Sequence, residues 1–384
     1  MTTFVLLCLQ LLLLGCSSTA GGDRSVVSDS PRMQQPLKQV MAVDTTPVVT
    51  VVPEKDSVRT VTIAMVGDLM LGSNNPAMYR MPPNDGKDLL RRAAPVLKAA
   101  DVAFGNLEGV LMTDTGTSKQ CKDPKVCYAF KSPDHYVEHF VEAGIDVMST
   151  ANNHIGDFGA RGRSNTKKVL KTAGIAFAGM VDKPYDVFER DGVKYGFCAF
   201  APNSGTVPLK DLAGMARIVR HLDTTADIVI VSFHGGAEGT SHSHITRQQE
   251  IFLGEDRGNP HDFARKAIDA GADVVIGHGP HVPRAIDVYK GRFIAYSLGN
   301  FATYGFSTEE TLGLAPIIRV SVDRKGEFQR GSIVSFRQEK NAGPRPDPTS
   351  GALKEIRMLT ESDVPEAGII FKEEGTFYVG KTGG

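Results

Sequence analysis

The stretch "VVIGHGPH" (residues 274–281) is an apolar run that ends in two histidines. The run predicts a buried strand, and the turn after it is poor in side chains. Gly277 and Gly279 leave space and permit unusual backbone angles, and the proline fixes the turn. His278 and His281 can therefore point into one cavity, which is typical of a turn that presents metal ligands.

Strands and helices alternate on either side of this stretch. The first clear strand is "RTVTIAMVGD", and helical segments separate most of the strands that follow it. Antiparallel hairpins come later, with turns at Lys290-Gly291 and Lys325-Gly326. This order predicts an α/β protein with more than one sheet and with its helices packed outside.

Polar residues stand at the ends of five predicted strands. They are Asp68, then Asn106 and Glu108, then Asn152, Asn153, His154 and Asp157, then His234, and finally His278 and His281. Carboxyl ends of parallel strands form the usual ligand crevice. Carboxylate, amide and imidazole groups suit a divalent metal, and the absence of cysteine argues against a thiolate zinc site.

Each of these residues also has a structural explanation when taken alone. Asp68 could cap a helix, asparagine favours turns, and a single strand-end histidine such as His234 is often structural. Five such strand ends in one chain favour a shared site, so we predict that these side chains converge.

The N-terminus is typical of an export signal. An apolar run ends at Leu-Leu-Gly-Cys, which resembles a bacterial lipobox. We predict a signal peptide over residues 1–16 with a lipid on Cys16, although a plain secretory signal cut nearby stays open. The expected localisation is that of an exported, membrane-anchored lipoprotein at the outer membrane or cell surface.

The remaining chain divides into three predicted regions. Residues 17–56 are rich in Ser, Thr, Pro and Gln and predict a flexible tether. A domain follows over residues 57–338, and residues 339–384 predict a polar C-terminal tail. In an exported protein, Cys121 and Cys127 predict a disulfide across a short loop, with two free thiols as the alternative.

Charge limits the partners. The 384-residue chain has 43 Lys+Arg against 44 Asp+Glu, so no bulk positive charge attracts nucleic acid. We expect a lipid bilayer as partner through the N-terminal lipid, and no nucleic acid.

Six motifs occur together in an order and spacing that resemble the CapA family. They are "GDLMLG", "NLEGVL", "ANNHIGDFG", "FHGGAE", "GADVVIGHGPHV" and "IAYSLGNF". This family comprises poly-γ-glutamate capsule-synthesis proteins with a calcineurin-like metallophosphoesterase fold. The resemblance covers about residues 61–301 and implies a four-layer α/β/β/α sandwich around a metal centre.

The resemblance also implies roles for individual residues. The metal ligands that the resemblance implies are Asp68, Asn153, His234, His278 and His281. We add Glu108, because it lies in the motif that usually supplies a bridging aspartate. His154 corresponds to the histidine that protonates a leaving group, and Glu108 is a second catalytic candidate. We assign Asn106, Asn152 and Asn300 to substrate binding. The expected cofactor is a divalent metal, with Mn, Zn, Fe and Mg all open.

The chain departs from the phosphoesterase pattern at three places. Met70 stands where a histidine is usual, Asn106 and Glu108 replace a bridging aspartate, and two residues rather than one separate the final histidines. A one-metal site, a shifted two-metal site and a vestigial site all stay open.

Three functions remain open from the sequence. The first is a tethered factor in making, exporting or anchoring poly-γ-glutamate or a related polymer, working with membrane capsule-synthesis components. The second is a metal-dependent hydrolase that acts on a phosphoester or amide. The third is a surface binding protein without metal. The expected ligand is accordingly an anionic polymer or a phosphoester.

Overall fold

A computed structural model of the chain describes residues 60–75, 81–120 and 127–380. The predicted signal peptide, the lipid-bearing Cys16, the tether and Cys121 lie outside these residues, so those predictions and the Cys121–Cys127 disulfide stay predictions. Among the described helices, none combines the length and apolarity needed to cross a bilayer.

The described chain contains twenty strands and six α-helices. The strands are β1 Val61–Met70, β2 Val102–Leu107, β3 Val110–Leu111, β4 Lys131–Ser132, β5 Val147–Ser149, β6 Ala176–Ala178, β7 Tyr185–Arg190, β8 Val193–Phe200, β9 Ile228–His234, β10 Ile251–Phe252, β11 Glu255–Asp256, β12 Val274–His278, β13 Ile286–Tyr289, β14 Arg292–Ala295, β15 Asn300–Thr303, β16 Leu314–Val322, β17 Phe328–Glu339, β18 Gly343–Pro346, β19 Ile369–Phe371 and β20 Thr376–Val379. The helices are α1 Ala94–Leu97, α2 Val137–Ala143, α3 Gly159–Thr172, α4 Leu212–Asp223, α5 Pro260–Asp269 and α6 Gly351–Asp363.

Two large sheets form the centre of the fold. The larger has the order β19-β20-β17-β16-β1-β2-β5-β6, with β15 beside β1 and β18 beside β17. The smaller has the order β13-β14-β12-β9-β8-β7. Strands β1, β2, β5 and β6 are mutually parallel, as are β8, β9, β12 and β14. Within each sheet, the carboxyl ends of these strands therefore lie on one rim.

Alternating side chains on each strand build the layers. On β1, Ile63 and Met65 belong to the core between the sheets, whereas Ala64 and Val66 pack with residues of α1, α2 and α3. The second sheet shows the same alternation, and its outer face packs with α4 and α5. The central strands β9 and β12 are buried along their whole length, which explains their nearly continuous apolar sequences. The expected four-layer α/β/β/α sandwich is confirmed.

The C-terminal region differs from the prediction of a polar tail that begins at residue 339. The structure places β18, α6, β19 and β20 in the domain. Leu353 and Ile356 of α6, together with Phe371 and Phe377, are buried in the core between the sheets. The sequence did not predict this packing, because the apolar residues of the region are widely spaced among charged ones and form no long apolar run.

One predicted helix is much shorter than expected. The segment "GKDLLRRAAPVLKAA" forms only the single turn α1, with Pro95 in its first turn. Proline lacks an N–H and clashes with the preceding turn, so it is tolerated at a helix start and not in a helix interior. The hairpin turns at Lys290-Gly291 and Lys325-Gly326 are confirmed.

Candidate metal centre

Asp68 lies at the centre of the polar cluster on the rim. The side chain is fully buried at the end of β1, and its Oδ1 accepts a hydrogen bond from Asn106 Nδ2 at 2.8 Å. His278 Nδ1 is 3.3 Å from Oδ1, and His281 Nδ1 is 3.0 Å from Oδ2. Burial opposes ionisation, but the contacts with the two histidines outweigh it and hold the pKa of Asp68 well below its ordinary value.

Glu108 follows β2 and faces the same cluster. The residue is 1% exposed, and neither carboxylate oxygen has a hydrogen-bond partner among the described residues. Burial and then the charge of Asp68 raise the pKa of Glu108 well above its ordinary value. Asp68, Glu108 and His281 each offer a ligand atom, and these atoms lie within 4.8 Å of one another.

His281 adopts a backbone conformation that residues with side chains seldom adopt. Its φ is +60°, in the left-handed region that glycine favours. Its Nδ1 contacts Asp68 and also lies 3.1 Å from Oδ1 of Asn300. Burial opposes a charged ring, but Glu108 and Asp68 raise the pKa of His281 to about 10. Strain held at a cluster of this kind is typical of functional sites.

The glycines of "VVIGHGPH" make this turn possible. A side chain at position 277 would place its Cβ 2.1 Å from the carbonyl oxygen of Tyr296. At position 279 the Cβ would lie 2.6 Å from the carbonyl oxygen of Gly235. The φ of Gly279 is +116°, which residues with a side chain rarely adopt. Only glycine lets the backbone approach this closely, so the turn can hold both histidines at the rim.

His234 and His278 stand side by side at the ends of β9 and β12. His278 Nε2 and His234 Nδ1 are buried without hydrogen-bond partners among the described residues. Burial and then the cation of Arg257 hold the pKa of His234 well below its ordinary value. His234 is therefore a neutral imidazole at pH 7, which is the protonation state that binds a metal.

His154 belongs to a neighbouring group of residues. Its Nδ1 donates to Asp157 Oδ2 at 2.8 Å, and Asp157 also pairs with Lys119 at 2.7 Å. The ring of Phe130 lies 4.2 Å from the ring of His154. Burial lowers the pKa of His154, although Asp157 opposes that shift. A carboxylate that fixes Nδ1–H leaves Nε2 to accept or donate a proton.

These residues fit a divalent cation. Several buried ligand-type atoms of the cluster have no hydrogen-bond partner in the described chain, among them both Glu108 oxygens, His234 Nδ1 and His278 Nε2. Such atoms are rare, because a buried polar group without a partner costs free energy. Oxygen and imidazole donors together suit a hard or borderline metal, so the donor set is chemically consistent with one.

Residues 62–304 match the family model described as "Bacterial capsule synthesis protein PGA_cap". The chain belongs to this family. The resemblance to CapA proteins is confirmed by two curated relatives. One is the capsule biosynthesis protein CapA of Bacillus anthracis, 30% identical over 259 residues, which covers 62% of this chain and 59% of that protein. The other is the PGA biosynthesis protein CapA of Bacillus subtilis strain 168, 27% identical, with 62% of each chain covered.

This PGA_cap chain thus spans about three-fifths of the length of these curated relatives. Among solved structures, it resembles a 5'-nucleotidase precursor from Thermus thermophilus with a TM-score of 0.41 and 14% identity. That match covers 82% of this chain and 61% of the other. A similarity at this level leaves the activity of the PGA_cap protein open.

The asparagines predicted at the PGA_cap site divide into two kinds. Asn153 keeps its carboxamide oxygen buried and without a partner among the described residues, as a ligand would. Asn152 is fully buried, donates to the Leu107 carbonyl at 2.7 Å and accepts from the backbone N–H of His154 at 3.1 Å. Asn152 therefore orders the loop that carries His154, and its predicted contact with substrate stays a prediction.

Two residues of the cluster were missed by sequence reasoning. Glu238 Oε2 lies 3.9 Å from His281 Nε2, and Glu238 Oε1 pairs with Arg257 at 2.9 Å. Arg257 also places Nη2 3.3 Å from His234 Nε2, with only 3% of its side chain exposed. Both lie in polar loops where no periodicity signals burial, although Glu238 closes the motif "FHGGAE".

Proposed function

We propose that this chain acts in the synthesis, export or anchoring of poly-γ-glutamate or a related capsular polymer, through a divalent-metal site on the rim. The observation that carries the proposal is the group formed by Asp68, Glu108 and His281, with ligand atoms within 4.8 Å of one another. Membership of the capsule-synthesis family supports the biological role.

Asp68, Glu108 and His281 would hold the metal, with Asn153, His234 and His278 as further ligands. A bound divalent ion supplies Lewis acidity towards a phosphoryl or acyl oxygen. The chain itself contributes a buried rim that limits water and a neutral His154, oriented by Asp157, that can exchange a proton at Nε2.

Complementation in cells tests the role in polymer production. Deletion of the gene should remove a surface polymer, and the wild-type chain should restore it. Glu108→Gln should fail to restore it, because it removes one of the three clustered ligands. Glu374→Gln is the matched control, since Glu374 is exposed and far along the chain from the rim residues. An unaltered cell surface after deletion would contradict the proposal.

A hydrolase is the second candidate, favoured by the pair His154–Asp157. An imidazole fixed by a carboxylate beside a metal site is suited to protonate a leaving group. His154→Asn should then lower turnover of p-nitrophenyl phosphate or poly-γ-glutamate by about 10²- to 10⁴-fold, with metal content kept. Equal turnover by the variant, or no turnover by the wild type on either substrate, would reject this candidate.

We also propose that the domain is tethered to a membrane through a lipid on Cys16, where it would meet the membrane components of capsule synthesis. The Leu-Leu-Gly-Cys ending supports this localisation. Cys16→Ser should move the protein from the membrane fraction to the soluble fraction and abolish labelling by a radioactive fatty acid. Unchanged fractionation and labelling would contradict it.

A further inference from the structure

A second concave surface lies where both large sheets end. Strand β6 is the last strand of the larger sheet and β7 is the last strand of the smaller one. A groove of about 540 Å³ is lined by residues of α3, β6 and β7. Its charged residues are Lys167, Lys168, Lys171, Lys183, Asp182 and Asp186. We call this surface the lysine groove.

The lysine groove carries unbalanced positive charge. Lys167 pairs with Asp182, and Lys183 pairs with Asp186 at 2.7 Å. Lys168 and Lys171 are exposed and form no ion pair with any residue that the structure describes. Four cations against two anions leave a net charge of +2 in one concavity, where field lines from like charges are focused.

Helix α3 extends this charge towards the rim. The helix contains five Lys or Arg residues and no Asp or Glu, in a chain whose formal net charge is -1. It begins two residues after Asp157, beside the metal centre, and its exposed face carries Lys168 and Lys171 together with Arg161, which pairs with Asp114 at 2.7 Å. At about 1.5 Å per residue, its 14 residues span roughly 21 Å. The helix thus runs from the rim to the lysine groove, and its unpaired exposed lysines lie at the groove end.

The groove also has an apolar component. Phe177 is buried and Phe188 is half-buried, and both line the groove. The ammonium of Lys183 lies 5.8 Å from the centre of the Phe177 ring. The two phenyl rings offer apolar surface to the methylene groups of a chain that lies along the groove.

We propose that the lysine groove binds an extended polycarboxylate chain of the poly-γ-glutamate type, with carboxylates on Lys168 and Lys171 and methylene groups over the phenyl rings. This inference rests on the proposed function. It adds a polymer-binding site that is distinct from the metal centre, and α3 connects the two.

Charge reversal tests the inference directly. The purified full-length chain in detergent is titrated into fluorescent poly-γ-glutamate, and anisotropy is recorded at low and at physiological salt. Lys168→Glu with Lys171→Glu should weaken binding about tenfold or more at low salt and flatten the salt dependence. The milder pair Lys168→Gln with Lys171→Gln should weaken binding less, which guards against a folding defect in the reversed variant.

The matched control is Arg217→Glu with Arg220→Glu. These residues have the same i,i+3 spacing on helix α4, which covers the other sheet, and the net charge changes equally. This control should bind poly-γ-glutamate within about threefold of the wild type, because screened surface charges act locally. Equal losses in both reversed pairs, or no loss in either, would overturn the inference.

Two further measurements separate this inference from the proposed function. Metal content of the Lys168→Glu, Lys171→Glu variant should equal that of the wild type, whereas metal content of Glu108→Gln should fall. Unchanged polymer affinity in the reversed variant, with metal binding intact, would reject the lysine groove alone. Binding of the wild type to phosphatidylglycerol vesicles or single-stranded DNA, but not to the polymer, would also overturn it.

Discussion

Two buried carboxylates near the rim have opposite surroundings. Glu250 is paired with the fully buried Arg284, whose Nη1 and Nη2 donate to its two oxygens at 3.0 and 2.9 Å. The backbone N–H of Ala237 donates to Glu250 as well, at 2.7 Å. Glu108 is as deeply buried, yet neither of its oxygens accepts a hydrogen bond within the described chain.

The difference separates a structural ion pair from a candidate site. The Arg284 guanidinium also donates to the carbonyl oxygens of His242 and Ala237. These hydrogen bonds hold the loop that follows β9 against the loop that follows β12. Glu108 makes no hydrogen bond, and its contact with the cationic His281 is long, at 3.7 Å between Oε1 and Nε2, so the cost of its burial is only partly offset within the described chain. A buried carboxylate whose oxygens are all hydrogen-bonded indicates architecture, and one whose oxygens lack hydrogen bonds is a candidate for function.

The largest effect is expected from breaking the structural pair. Glu250→Gln leaves the Arg284 charge buried without a counter-charge, which costs about 3–5 kcal/mol. The melting temperature should fall by about 5–8 °C, measured by circular dichroism. Glu374→Gln, an exposed change of the same kind, should leave it unchanged. A fall of less than about 2 °C in Glu250→Gln would show that the pair is not needed for stability.

Asp273 is a third buried carboxylate, with fewer partners than Glu250 and more than Glu108. The pH dependence of stability tests its pKa. It accepts from the Val229 N–H at 2.8 Å and lies 3.3 Å from Arg292, but burial raises the pKa of Asp273 to about 6. The native state therefore retains a proton that the unfolded state releases near pH 4, so this residue's contribution to stability falls as pH rises to about 6.

Asp273→Asn should remove that contribution, because the amide does not ionise and its oxygen can still accept from Val229. Denaturant unfolding at several pH values should show the wild type losing about 3 kcal/mol relative to the variant between about pH 4 and about pH 7. Parallel pH curves for the two proteins would contradict the raised pKa.

Glu108→Gln should have the opposite effect from Glu250→Gln. Because burial and Asp68 raise the pKa of Glu108, its charge destabilises the metal-free fold at neutral pH. Unfolding in the presence of a chelator should show stability held or increased. A loss comparable to that of Glu250→Gln would assign Glu108 to packing instead.

The smallest effect is expected at Arg257, whose Nη2 lies 3.3 Å from His234 Nε2 and whose cation lowers the pKa of His234. Arg257→Lys should lower metal affinity about tenfold, as loss of a residue that orients a ligand usually does. Two-dimensional NMR of the histidine ring should show His234 perturbed. Arg217→Lys on the exposed face of α4 should change neither, and unchanged metal affinity in Arg257→Lys would remove Arg257 from the site.

Sequence reasoning located the site better than its surroundings. Asp68 and Glu108 follow apolar strands of one sheet, and parallel strands of a sheet share a rim, so their convergence could be predicted. His278 belongs to the other sheet, and its meeting with them follows from the four-layer sandwich that the family resemblance implies. The burial of Arg257 and the place of Glu238 in the cluster could not be predicted, because their loops fold back onto the rim through contacts that are distant in sequence. The pairing of Glu250 with Arg284 is hidden for the same reason.

The domain boundary shows a second limit. Helix α6 and the strands after it complete the core between the sheets with a few well-separated apolar residues, including Ile356 and Phe377. Local composition there is polar, and the polar residues are on the outside. Only the position of the helix against the sheets reveals which side chains are buried.

Calorimetric titration of the chelator-treated full-length chain with Mn²⁺ and Zn²⁺, checked by elemental analysis, tests the central claim most directly. The account predicts stoichiometric binding to the wild type, at least about tenfold weaker binding to Glu108→Gln, and wild-type binding to Glu374→Gln. Absence of binding to the wild type, or equal binding to Glu108→Gln, would contradict a metal centre built on Asp68, Glu108 and His281.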